Sequence, residues 1–268
     1  MTEKERAGLT VAFVGHKSLP ANCGGVEVHA EEVGACLAEL GHRVISFTAE
    51  PGGRRLALGS YRGVERRRVG RVEGKHLGAM SQAFTATIAA ARAKPDVIHY
   101  QAIGGAIFIP IARALSDAAV VVTCHGRDDR RRKWSWPVRL LLRLAFHASA
   151  RLADAVIVVS DELADQYRPL TRGRLYNVAN GVAVGDQAPA SSLGRPDHPY
   201  VLYAGRLVPE KRVEDLIVPS LLWPVKSIWS SPAVRPGPGG ISPTCRPARP
   251  TTLAFTSSGT AVQAGWTC

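Results

Sequence analysis

Acidic residues are missing from the last 51 positions: all 22 lie between Glu3 and Asp215, and residues 218–268 contain none. That stretch also holds 8 of the 18 prolines and three of the five tryptophans, Trp223, Trp229 and Trp266, with neither helical nor alternating periodicity. Cysteine is scarce as well. Cys23, Cys36, Cys124, Cys245 and Cys268 are odd in number, widely spaced and form no CxxC pair, so they suggest neither a disulfide framework nor a cysteine zinc site. The first ten residues, MTEKERAGLT, lack a signal-peptide apolar core. The longest apolar stretch, residues 102–122, is interrupted by Pro110, Arg113 and Asp117 and falls short of a span of ~20 residues. The expectation is a cytoplasmic protein.

What is present divides at residue 217. The chain of 268 residues carries a formal charge of +12, of which residues 1–217 hold +8, with 30 basic residues against 22 acidic. Such an excess speaks of anionic partners rather than of fold. Residues 10–15 (TVAFVG), 43–48, 96–100 (DVIHY), 119–123 (AVVVT) and 155–159 (AVIVV) are short apolar runs suited to buried strands. Helical spacing separates them: Val26, Ala30, Val33, Leu37 and Leu40 in one helix closed by Gly41, then patterns at 80–93, 103–115 and 137–152. Ser160 is placed to cap a further helix whose first turn carries Asp161 and Glu162. Strands alternating with helices predict an α/β protein with a parallel sheet. A polar stretch rich in Pro, Ser and Gly near 185–198 marks a domain boundary, after which residues 200–205 (YVLYAG) begin a second sheet.

In a doubly wound sheet, ligands bind beyond the C-terminal ends of the strands. Four groups lie there. The loop 16–25 ends in Gly24-Gly25 at a helix N-terminus, where backbone N–H groups can hold a phosphate, although a tight turn alone would use the same pair. It is not a GxGxxG fingerprint, so a nicotinamide cofactor is not indicated. His125 follows a buried strand and can hydrogen-bond a sugar hydroxyl or phosphate; a lone histidine also serves in cores, and for His99 that reading is the stronger. Arg206 and Lys211 flank a strand-to-helix turn and suit a diphosphate, or are two solvated surface cations. The basic block 127–133 with Trp134 and Trp136, and the Leu-rich helix bearing Arg139, Arg143 and Arg151, suit an anionic membrane surface, a nucleic acid, or a helix packed on its own sheet.

Taken in order, Gly-Gly-Val-Glu at 24–27, DVIHYQ, VVTCHG with a following KW, ADAVIVVS, NVANGV and YVLYAGRLVPEKR resemble the retaining glycosyltransferases of family 4. The resemblance covers residues 9–217 and is closest to the branch that makes surface polysaccharides. It implies the GT-B architecture of two Rossmann-like domains. Residues 1–185 would form the N-terminal, acceptor-side domain, 186–198 a linker, 199–217 the start of an incomplete nucleotide-sugar domain, and 218–268 an irregular, disordered tail. The implied reaction moves a sugar from a nucleoside diphosphate to an acceptor hydroxyl with retention of configuration. Gly24, Gly25, Arg206 and Lys211 would face the donor diphosphate and His125 the donor sugar, making His125, Arg206 and Lys211 the catalytic set. His16, Glu27, His99, Arg127 and Asn180 are expected as further sugar or acceptor contacts. No metal or other cofactor is expected, because fixed cations and a helix N-terminus can carry the charge of the leaving group. The partners implied are a nucleotide-sugar donor, a carbohydrate or lipid-linked acceptor and peripheral contact with an anionic membrane at its inner face; nucleic acid is not expected.

The family also carries two glutamates separated by seven residues beyond the Arg/Lys turn. That motif is not in this sequence, which has no Asp or Glu after Asp215. The expectation is a truncated or frameshifted enzyme whose reading frame departs near residue 217, its activity in doubt, the alternative being a non-catalytic remnant or acceptor-binding module without a donor site.

Overall fold

A computed structural model of the chain describes residues 8–21, 24–49, 59–72, 74, 77–130 and 134–181, with the backbone of 201–204, 228–231 and 252–253 and residue 215. It divides into two compact units, Met1–Ala183 and Val184–Cys268.

The first unit is built on an eight-stranded sheet. Its strands are β1 (Thr10–Val14), β2 (Arg43–Thr48), β3 (Ser60–Tyr61), β4 (Val64–Arg68), β5 (Val97–Tyr100), β6 (Ala119–Cys124), β7 (Ala155–Val158) and β8 (Arg174–Asn177), ordered β3-β4-β2-β1-β5-β6-β7-β8. All neighbours pair in parallel except β3 and β4. The chain starts in the middle at β1, builds outward through β2 and β4, then returns to the other side of β1 with β5. A topological switch point therefore lies between β1 and β5, and the crevice beyond their C-terminal ends is where such sheets bind ligands.

The helices are α1 (Gly25–Glu39), α2 (Leu77–Arg92), α3 (Ile109–Leu115), α4 (Trp136–Leu152) and α5 (Asp161–Tyr167). Alternation along β1 serves two cores, as a strand covered on both faces must. Ala12 and Val14 join a large cluster with Ile45, Ile98, Tyr100 and Phe146. Val11 and Phe13 point the other way, to Leu19, Val44, Val64 and Ala30 of α1. At the end of α1, Gly41 adopts φ 87°, its N–H donates to the Ala38 carbonyl and the His42 N–H to that of Leu37, a Schellman closure. Leu40, expected on the apolar face, is the C-cap residue and is exposed.

Three features differ from the sequence expectation. The pattern at 103–115 is two pieces, a 3-10 segment Ile103–Phe108 and then α3, because Gly104-Gly105 weakens the helix that Pro110 reopens in its first turn. Strands β3, β4 and β8 went unread because they lie toward the margins of the sheet, and β4 (VERRR) carries a single apolar residue. In the second unit, β9 (Val201–Ala204) pairs in parallel with β10 (Ile228–Ser231), which pairs antiparallel with β11 (Thr252–Leu253). Two short strands thus lie within 218–268, where an irregular tail was expected. Strand pairing uses backbone groups, which hydropathy periodicity does not report.

Candidate functional site

The C-terminal ends of β1, β5 and β6 and the first turns of α1 gather four histidines. Gly15 follows β1 with φ 95°, and the Gln101 N–H donates to the Val14 carbonyl at 2.8 Å, so the two strand ends are tied where they diverge. His16, next along, is 1% exposed; its Nε2 lies 2.7 Å from Ser46 Oγ and its Nδ1 is buried without a partner. Burial lowers its pKa to about 4. Gln82 of α2 donates to the His16 carbonyl at 2.9 Å and pins the loop.

His99 stands on β5 within a relay. The Gln101 side-chain amide lies 3.3 Å from His99 Nδ1, and His99 Nε2 lies 2.8 Å from Thr123 Oγ1 on β6. With the amide N–H donating to Nδ1, the proton of the neutral ring sits on Nε2 and is given to Thr123. Burial, followed by the charges of His29, His125 and His16, lowers the His99 pKa to about 3. Phe13 meets both rings edge-on, with centroids at 6.3 Å from His16 and 5.3 Å from His99.

His125 follows β6. Its ring meets that of His29 edge-on, centroids 4.6 Å apart and planes at 78°, and its Nε2 is buried without a hydrogen-bond partner. Burial and the neighbouring His29 lower its pKa to about 4, so the ring is neutral at pH 7 and offers hydrogen bonds rather than charge. His29 lies four residues after Gly25, one helical turn on, so it brings His125 beside the start of α1. Sequence reasoning passed over His29; the i+4 spacing from the Gly-Gly pair was the signal that could have found it.

Helix α1 opens without a side-chain cap. Gly24 is the N-cap with φ 108°, and the first helical bond runs from Val28 N–H to the Gly24 carbonyl, so the N–H groups of residues 25–27 have no intrahelical partner. Both glycines are exposed, and a side chain on Gly25 would meet no neighbouring atom. Glu27 is buried, its carboxylate folded against Gly24, where a negative group complements the helix dipole.

The other predicted residues are placed elsewhere or lie beyond view. Arg127 is committed to structure: its guanidinium pairs bidentately with Asp129 at 2.7 and 2.8 Å, donates to Gln166 at 2.8 Å and stacks over Phe146 at 3.9 Å. Its hydrogen bonds to Asp129 raise its pKa and lower that of the carboxyl. Asn180 is exposed beyond β8. Arg206 and Lys211 lie outside the described residues. Among the described residues, no three His, Cys, Asp or Glu side chains are grouped to hold a metal ion.

The profile of Glycosyltransferase Family 4 matches residues 23–185, more than half of the chain. The chain belongs to that family. Its fold is that of GT-B glycosyltransferases. It is similar to sucrose-phosphate synthase from Thermosynechococcus elongatus, with a TM-score of 0.66, 20% identity, and coverage of 85% of this chain and 63% of that one. It is also similar to Anabaena Alr3699/HepE, solved in complex with UDP and glucose, with a TM-score of 0.58, 16% identity, and coverage of 83% and 60%. This family member therefore spans about three-fifths of the length of those two structures. No curated protein matches its sequence.

Proposed function

We propose that this chain acts in sugar transfer from a nucleoside-diphosphate sugar to an acceptor hydroxyl, with retention at the anomeric carbon, in the synthesis of a surface polysaccharide or glycolipid. The observation that carries the reading is the uncapped N-terminus of α1, exposed at Gly24-Gly25 and set beside His125. In the reaction the bond from the anomeric carbon to the diphosphate oxygen breaks and one to the acceptor oxygen forms, the acceptor's hydroxyl proton passing to the departing diphosphate, on which negative charge develops. Backbone N–H groups at a helix N-terminus stabilise such charge without reorganising. His125, neutral and with a buried unpartnered Nε2, is suited to a sugar hydroxyl rather than to the phosphates. Arg206 and Lys211 would supply the fixed cations, and no metal is invoked. The boundaries follow the sequence reading: an acceptor-side domain to about residue 185, a linker to 198, and the start of a nucleotide-sugar domain from 199. We place the protein in the cytoplasm at the inner face of the membrane, beside a carbohydrate or lipid-linked acceptor.

A second reading, an acceptor-binding module without a donor site, is favoured by one observation: no Asp or Glu follows Asp215, so the family's paired glutamates are not supplied by this chain. Calorimetry on the full chain separates the two. The enzyme reading expects heat on addition of UDP or GDP and weaker binding in His125→Ala for the sugar nucleotide than for the bare diphosphate. No heat with either nucleotide supports the binding module.

A further inference from the structure

The exposed side of α4 is apolar where a surface helix is ordinarily polar. Its inner side, Leu142, Ala145, Phe146, Ser149 and Ala150, is buried. On the opposite side Trp136, Leu140 and Leu144 are 75%, 50% and 51% exposed and recur at i, i+4 and i+8, which aligns them in one stripe. Arg143 and Arg151 project from the same exposed side. Arg139, also exposed, reaches back to donate to the Asp129 carbonyl at 3.1 Å and so fixes the start of the helix.

Charge selects the occupant. From residue 130 to 153 the sequence holds seven Arg or Lys and no Asp or Glu. A protein partner or a second copy of this face would have to bring its own acids, whereas an anionic bilayer offers apolar depth beneath a negative surface at once. At 1.5 Å per residue the 17-residue helix is ~26 Å long, enough to lie along the surface. No helix among the described residues is long and apolar enough to cross a membrane, so this contact would lie in the interface plane.

We propose that the exposed face of α4 is a docking surface for an anionic lipid bilayer, with Trp136, Leu140 and Leu144 entering the headgroup region and Arg143 and Arg151 meeting the phosphates. This assignment stands independently of the nucleotide reading, since it uses no residue of the Gly-Gly loop or the histidine group.

Co-sedimentation of the full chain with vesicles of phosphatidylcholine and phosphatidylglycerol at 70:30, against pure phosphatidylcholine, tests it. Binding is expected only with the anionic vesicles and should weaken as NaCl rises from 0.05 to 0.5 M, as screening requires. The triple variant Trp136→Ser, Leu140→Ser, Leu144→Ser removes no fully buried side chain and should keep the far-UV dichroism of the parent with a modestly lower melting temperature, while binding at least about tenfold more weakly. Arg143→Gln with Arg151→Gln should weaken binding about 25-fold, about fivefold per charge. Equal binding to both vesicle types, or undiminished binding by the folded triple variant, overturns the proposal. So does a parent that fails to sediment with the anionic vesicles, including one that instead forms a dimer or a DNA complex that the triple variant loses.

Discussion

At the residue scale, the site depends on imidazoles kept neutral by burial. His16, His99 and His125 have pKa values of about 4, 3 and 4 in the folded chain against 6.5 when exposed. Above pH 7 all are neutral in both states and contribute no pH dependence. As pH falls below 6.5 the unfolded chain takes up protons that the folded chain refuses, so stability drops until the folded pKa values are reached. Urea unfolding between pH 7.5 and 4 should show this loss, with up to about 1.4 kcal/mol per pH unit from each of the two fully buried rings, His16 and His99. A flat profile over that window would show that those rings are open to water. Gly24→Ala is a second test. It forces a side chain to φ 108° and into the Glu27 carboxylate, and should cost about 1–3 kcal/mol in thermal or urea unfolding and weaken nucleotide binding where Gly25→Ala, which meets no atom, leaves stability nearly unchanged. The glycine pair was legible in the sequence as a helix start. That only the first of the two needs a positive φ was not, because backbone angle is a consequence of the turn and not of composition.

At the scale of elements, α5 shows local code sufficing. Ser160 Oγ accepts from Leu163 N–H at 3.4 Å, and Asp161 and Glu162 occupy the first turn as read from the sequence. Ser160→Ala should lower stability by about 1 kcal/mol in chemical denaturation; Ser160→Asp should restore most of it. Strands β2 and β6 follow their apolar runs because burial on both faces selects apolar residues, and two polar residues buried with them, Ser46 and Thr123, are the ones that pair with His16 and His99. The marginal strands β3, β4 and β8 escaped because exposure relaxes that demand: β8 (RLYN) leaves Tyr176 46% exposed. The pairing of Arg127 with Asp129 and Phe146 was equally hidden. Its partners sit on a 3-10 turn and on α4, and the block 127–133 read as surface charge although its first arginine is turned inward.

At the scale of the whole molecule, the chain divides into its two compact units between residues 183 and 184, just before the stretch rich in Pro, Ser and Gly. Limited proteolysis should cut there first and leave a fragment of roughly residues 1–183 that unfolds cooperatively, as a unit with its own two-sided core should. Equal resistance along all 268 residues, followed by mass spectrometry of the digest, would refute that division.

The sequence by itself determined the alternation of strands and helices, the parallel sheet and membership of the family, because each rests on runs and spacings a few residues long that local burial imposes. Only the tertiary structure decided which polar residues meet. His29 reaches His125, and His16 and His99 turn inward beside Phe13, because crossover connections bring the ends of β5 and β6 beside that of β1, 86 and 110 residues earlier in the chain. It also decided which side of α4 is buried. Helical period places Trp136, Leu140 and Leu144 on one stripe, but whether that stripe faces the sheet or the solvent depends on what the opposite stripe finds to pack against.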